Sequence, residues 1–88
     1  MTRELEIKLE MLRTLDRSGS YLLPEPTLFN HVRLLIQPPP TDGQLKDALN
    51  ELHSRRLVLG ASSALGGPMR WRLSDEGAAE LRNQTRQP

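Results

Sequence analysis

The 88-residue sequence contains no cysteine, which excludes a disulfide scaffold and a thiolate metal site. It has no apolar run near the ~18 residues that a membrane-spanning helix needs. Its two histidines, His31 and His53, fall on different expected helices with no carboxylate at ligand spacing. A closed zinc site takes four ligands, so no metal site is read from them. No nucleophile elbow, phosphate-binding loop or HExxH pattern occurs. Asp75 and Glu76 are adjacent, and adjacent residues on a helix do not face each other, so they read as helix-capping acids. A chain of this length also has little room for a pocket of ~300 Å³ or more. These absences lead to the expectation of a non-enzyme without a cofactor. An excess of one charge is missing too: 12 Lys plus Arg stand against 11 Asp plus Glu, a net charge of +1. That balance neither demands nor excludes a nucleic-acid partner. The opening Met1-Thr2-Arg3-Glu4-Leu5-Glu6 mixes both charges at helical spacing, unlike a signal peptide, so the expected location is cytoplasmic.

What the sequence does have is leucine. Leu, Ile, Val and Phe make up 22 of 88 residues, enough for one small core. One domain is expected over residues 1–82, with a polar C-terminal tail over 83–88. Leu5, Leu9, Leu12 and Leu15 recur at helical spacing and predict helix 1 over 3–17, closed by Gly19. Ile7 and Met11 lie beside that stripe and widen the apolar arc to roughly 200°. Tyr21-Leu22-Leu23 reads as a brief strand or extended link. Leu28, Phe29, Val32, Leu35 and Ile36 predict helix 2 over 26–36, ended by Pro38-Pro39-Pro40. Thr41-Asp42-Gly43-Gln44 has the form of a capping box and opens helix 3 over about 42–55, after a turn of about four residues. Leu45, Ala48, Leu49 and Leu52 share its inner face.

From Arg56 the period changes. Leu57-Val58-Leu59 is a short apolar run ending at Gly60. Met69, Trp71 and Leu73 alternate with Arg70 and Arg72, the period of a half-buried strand. A Gly-rich loop between the two runs predicts an antiparallel hairpin. Ser74 caps a last helix that buries Ala78 and Leu81, with Asp75 and Glu76 at its dipole-favoured start. The expected core is Leu9, Leu12, Leu15, Leu28, Val32, Leu35, Ile36, Leu45, Leu49, Leu52, Val58, Trp71 and Leu73. Trp71 could stack on a base, but its alternation with Met69 and Leu73 places it in the core.

This order of elements resembles the winged helix-turn-helix fold of small bacterial regulators. Leu49-Asn50-Glu51-Leu52-His53-Ser54-Arg55-Arg56-Leu57-Val58 is similar to the end of that family's recognition helix and its first wing strand. Trp71-Arg72-Leu73-Ser74-Asp75-Glu76-Gly77 is similar to its second wing strand and final helix start. The resemblance implies an α+β fold, with a three-helix core, a β-hairpin wing and a short C-terminal helix. It implies double-stranded DNA as partner, helix 3 in the major groove and the wing beside a phosphate backbone.

The residues themselves qualify that picture. On helix 3, Gln44, Lys46 and Asn50 are of types that contact base edges. Asp42, Asp47 and Glu51 would repel phosphates, and the alternative is a solvated helix face. The wing differs: Arg55, Arg56, Arg70 and Arg72 lie between Leu52 and Ser74 with no acid among them. Arg70 and Arg72 share one strand face and suit phosphate contact. The alternative is a solvated strand face paired with Asp75, Glu76 or Glu80. Two further partners are expected from the remaining features. Ile7 and Met11 are read as the contact of a homodimer, unless Leu22, Leu23 or Leu81 covers them within one chain. The acids of helix 3 and an exposed Leu34 fit a second reading, a winged-helix protein-interaction module without DNA binding.

Overall fold

The computed structural model describes residues 2–86. The elements run α1 (Arg3–Ser18), β1 (Leu23–Pro24), α2 (Glu25–Leu35), α3 (Asp42–Ser54), β2 (Val58–Ala61), β3 (Arg70–Leu73) and α4 (Asp75–Arg86). The Thr2 hydroxyl accepts the Leu5 N–H at 3.1 Å and starts α1, and Gly19, at φ +62°, ends it. The helix then buries Ile7, Leu9, Met11, Leu12, Thr14 and Leu15, because α2, α3, β3 and α4 all pack around it. This arrangement corrects the homodimer reading of Ile7 and Met11. They are 2% and 0% exposed within a single chain, so neither offers a surface to a second copy. The wide apolar arc of α1 belongs to a central helix. Each of these side chains contributes about 1.5–3 kcal/mol by leaving water.

Helix α2 ends one residue earlier than its periodicity predicts. Ile36 is extended (φ −121°, ψ 132°) and turns inward to 2% exposure, whereas Leu35, expected in the core, is 54% exposed. The connection to α3 is therefore residues 36–41, longer than the four expected. The capping box forms as expected: the Thr41 hydroxyl accepts the Gln44 N–H at 3.2 Å, and Gln44 Oε1 accepts the Thr41 N–H at 3.0 Å. Leu45, Ala48, Leu49 and Leu52 are buried beneath α3.

The three strands form one antiparallel sheet in the order β1-β3-β2. Leu23 and Gly60 flank Trp71, Val58 pairs with Leu73, Leu59 with Arg72, and Ala61 with Arg70. Trp71 is 5% exposed, in the core as expected. Its ring covers Gly60 so closely that a β-carbon there would lie 2.7 Å from Trp71 Cζ3. The first strand is shorter than Tyr21-Leu22-Leu23 suggests, and Tyr21 is exposed.

Ser74 joins the wing to the last helix. Its hydroxyl donates to the Arg56 carbonyl at 2.7 Å and accepts the Gly77 N–H at 2.9 Å. Helix α4 continues to Arg86, so residues 83–86 are helical where a polar tail beyond the domain was expected. The last two residues of that tail lie outside the described residues.

Candidate nucleic-acid interface

The expected DNA-facing residues come from three places: α3, its C-terminal exit, and the outer face of β3. Arg70 and Arg72 are exposed and alternate with buried Trp71. A strand rises ~3.3 Å per residue, so their α-carbons stand roughly 7 Å apart on one face. Leu59 and Ala61 lie beside them on β2, both exposed. Neither arginine has an ion pair among the described residues, and none of Asp75, Glu76 and Glu80 reaches them. Arg56 follows the C-terminus of α3 at φ +62°, held there by Ser74. It too is exposed and unpaired among the described residues. Arg55 is different: it meets Glu51 one turn back at 3.0 Å. Arg70 and Arg72 thus stand on the central strand of the sheet and Arg55 and Arg56 on the segment that leads from α3 into β2, and among the described residues three of the four, Arg56, Arg70 and Arg72, have no ion pair.

On α3 the balance is less hostile to phosphate than the sequence suggests. Asp42 is ion-paired with Arg33 of α2. Glu51 is paired with Lys8 of α1 at 2.7 Å as well as with Arg55. The Lys8 hydrogen bond, followed by the charges of Lys8 and Arg55, holds the Glu51 carboxyl below its ordinary 4.5 against partial desolvation. Asp47 alone of the three acids has no ion pair among the described residues.

The expected base readers are unequal. Asn50 is exposed, with no side-chain bond among the described residues. Gln44 already spends its Oε1 on the capping box, the atom that would accept from adenine in a two-bond contact. Lys46 reaches Glu25 Oε2 at 3.1 Å, and Glu25 Oε1 accepts the Trp71 indole N–H at 3.1 Å. Lys8, Glu25 and Arg33 are the participants that sequence reasoning missed. Their partners are distant in sequence, so no local pattern marks them.

A cleft of about 320 Å³ opens between α1 and α3, larger than a chain of this length was expected to hold. The Lys8–Glu51 ion pair lines it beside Arg3, Glu4, Gln44 and Asp47. Among the described residues no cluster of three His, Asp or Glu could hold a metal ion, and no helix is long and apolar enough to cross a membrane.

Two solved structures have the same architecture. One is the winged-helix DNA-binding protein of STIV, with TM-score 0.72 and 18% identity, covering 88% of this chain and 80% of that one. The other is a candidate transcriptional regulator of Thermoplasma acidophilum, with TM-score 0.77 and 19% identity, covering 97% of this chain and 82% of that one. No protein-family model and no curated protein matches the sequence. The likeness to these structures shows the fold, a winged helix-turn-helix.

Proposed function

From a winged helix-turn-helix chain with this charge layout, we propose a regulator-like protein that binds double-stranded DNA. The observation that carries the reading is the pair Arg70 and Arg72, exposed on one face of β3 and free of ion pairs among the described residues. Such cations release counterions when they meet phosphates, the main source of affinity for DNA. Arg56 adds a third charge at the exit of α3. The pairing of Asp42 with Arg33 and of Glu51 with Lys8 and Arg55 supports α3 in the major groove, because two of its three acids are compensated. Asn50 is the residue assigned to base edges, and Gln44 keeps its role as a cap. The two similar structures, a DNA-binding protein and a candidate transcriptional regulator, agree with this reading, and a cytoplasmic location goes with it.

The test is binding to a random duplex by fluorescence anisotropy across a salt series. Affinity falls as salt rises, and the Arg70→Ala, Arg72→Ala double variant flattens the log–log slope by about two. No low-salt binding at micromolar protein rejects the proposal. A second reading, a protein-interaction module, is favoured by Leu34 and Leu35, 79% and 54% exposed at the end of α2. It predicts that wild type and the double variant are equally poor DNA binders.

A further inference from the structure

Glu25 stands at the first position of α2, immediately after β1. Its backbone N–H donates to the Met69 carbonyl at 2.9 Å, which fixes it beside the wing. Its two carboxylate oxygens then serve different elements. Oε1 takes the Trp71 indole N–H of β3, 46 residues away, and Oε2 takes Lys46 Nζ of α3, 21 residues away. The Glu25 side chain is 18% exposed and that of Lys46 57%. Trp71 also meets His53 of α3 edge-on, with ring centroids 5.2 Å apart. Glu25 is thus tied to both the helix and the wing, through groups that no local pairing rule connects.

We propose that Glu25 is a positioning residue that sets α3 against the wing through Trp71 and withholds Lys46 from DNA phosphate. The withholding half rests on the DNA reading above. A lysine ammonium is a compact point charge, and one already facing a carboxylate gains less from a second anion. Moving it to a phosphate would also leave the mostly buried Glu25 carboxylate uncompensated, which is the expensive way to break an ion pair. Lys46 therefore stays with Glu25 in the complex, and the wing arginines supply the phosphate contacts. Glutamine at position 25 separates the two roles. Its Oε1 still accepts the indole N–H, but it carries no charge to hold the ammonium.

Salt-dependent DNA binding and the Trp71 indole N–H resonance read these roles separately, with circular dichroism confirming that each variant folds. Lys46→Ala in the wild-type background leaves the log–log salt slope unchanged. Glu25→Gln steepens the slope by about 0.9 and tightens binding ~3- to 10-fold near 0.1 M salt. Adding Lys46→Ala to Glu25→Gln abolishes both gains. Without DNA, the indole resonance stays in place in Glu25→Gln and shifts in Glu25→Ala. A flatter slope in Lys46→Ala alone overturns withholding, because Lys46 is then already on phosphate. A gain that survives in the double variant also overturns it, since the cause is then lost carboxylate repulsion. An indole resonance indifferent to Glu25→Ala overturns the positioning role, whether or not DNA binds. Absence of wild-type DNA binding with a shifted resonance rejects the DNA reading and withholding together, and upholds positioning.

Discussion

The α-carbon of Gly77 lies so close to the Leu57 carbonyl oxygen that any β-carbon there would stand well inside van der Waals contact, and only 2.8 Å from Leu73 Cδ1. The same carbonyl accepts the Ser74 N–H at 3.1 Å, so the first turn of α4 clamps the exit of α3. Glycine in a helix ordinarily costs up to ~1 kcal/mol relative to alanine. Here the sign reverses: Gly77→Ala is expected to destabilise by about 1–3 kcal/mol, because a backbone oxygen cannot rotate away as a side chain can. Gly43 is the control. A β-carbon there meets only Thr41 Oγ1, at 3.9 Å, so Gly43→Ala stabilises by up to about 1 kcal/mol. Urea unfolding of the two variants distinguishes them by sign, and a stable Gly77→Ala contradicts the close approach.

Glu51 gives the fold a pH dependence. Its carboxyl is depressed below 4.5, with the Lys8 hydrogen bond as the largest cause. A depressed folded value means that the unfolded chain binds more protons in that range, so stability rises with pH there. The contribution is full above the ordinary glutamate range and is lost as pH falls through the folded value. Unfolding followed between about pH 6 and pH 3 is therefore steeper for wild type than for Glu51→Gln. Lys8→Ala removes more of that difference than Arg55→Ala, following the order of their effects on Glu51. Identical profiles for wild type and Glu51→Gln dispose of the idea.

The elements were legible because their signals are local. The Thr41–Gln44 box, the Ser74 cap and the alternation around Trp71 each lie within a few residues of chain, and each forms. Ile36 is in the core as expected, but the Leu35 expectation failed at a helix end, where the chain leaves the helix one residue early and turns Leu35 outward. The candidate site was legible in its cations and illegible in its pairing. Arg70 and Arg72 follow from strand period alone. That two of the three α3 acids are compensated depends on Lys8 and Arg33, which arrive from other helices. The same holds for Glu25, whose two partners lie on α3 and β3. The width of the apolar arc on α1 could be read from sequence. What covers it could not, since that depends on four elements converging on one helix.

That convergence makes Met11 a test of where the helix sits. Met11 is 0% exposed and Ile7 2%, so truncating either opens a cavity in the core. Met11→Ala is expected to cost about 2–5 kcal/mol, a large share of the stability of so small a domain. Leu34, 79% exposed, lies in no such contact, and Leu34→Ser should stay within about 0.5 kcal/mol of wild type. Urea unfolding paired with light scattering separates core from interface. A core Met11 gives a lower unfolding midpoint at a mass the same as that of wild type. A reduced mass at undiminished stability would instead mean that Met11 packs against a second copy, which its burial within one chain leaves no surface to do.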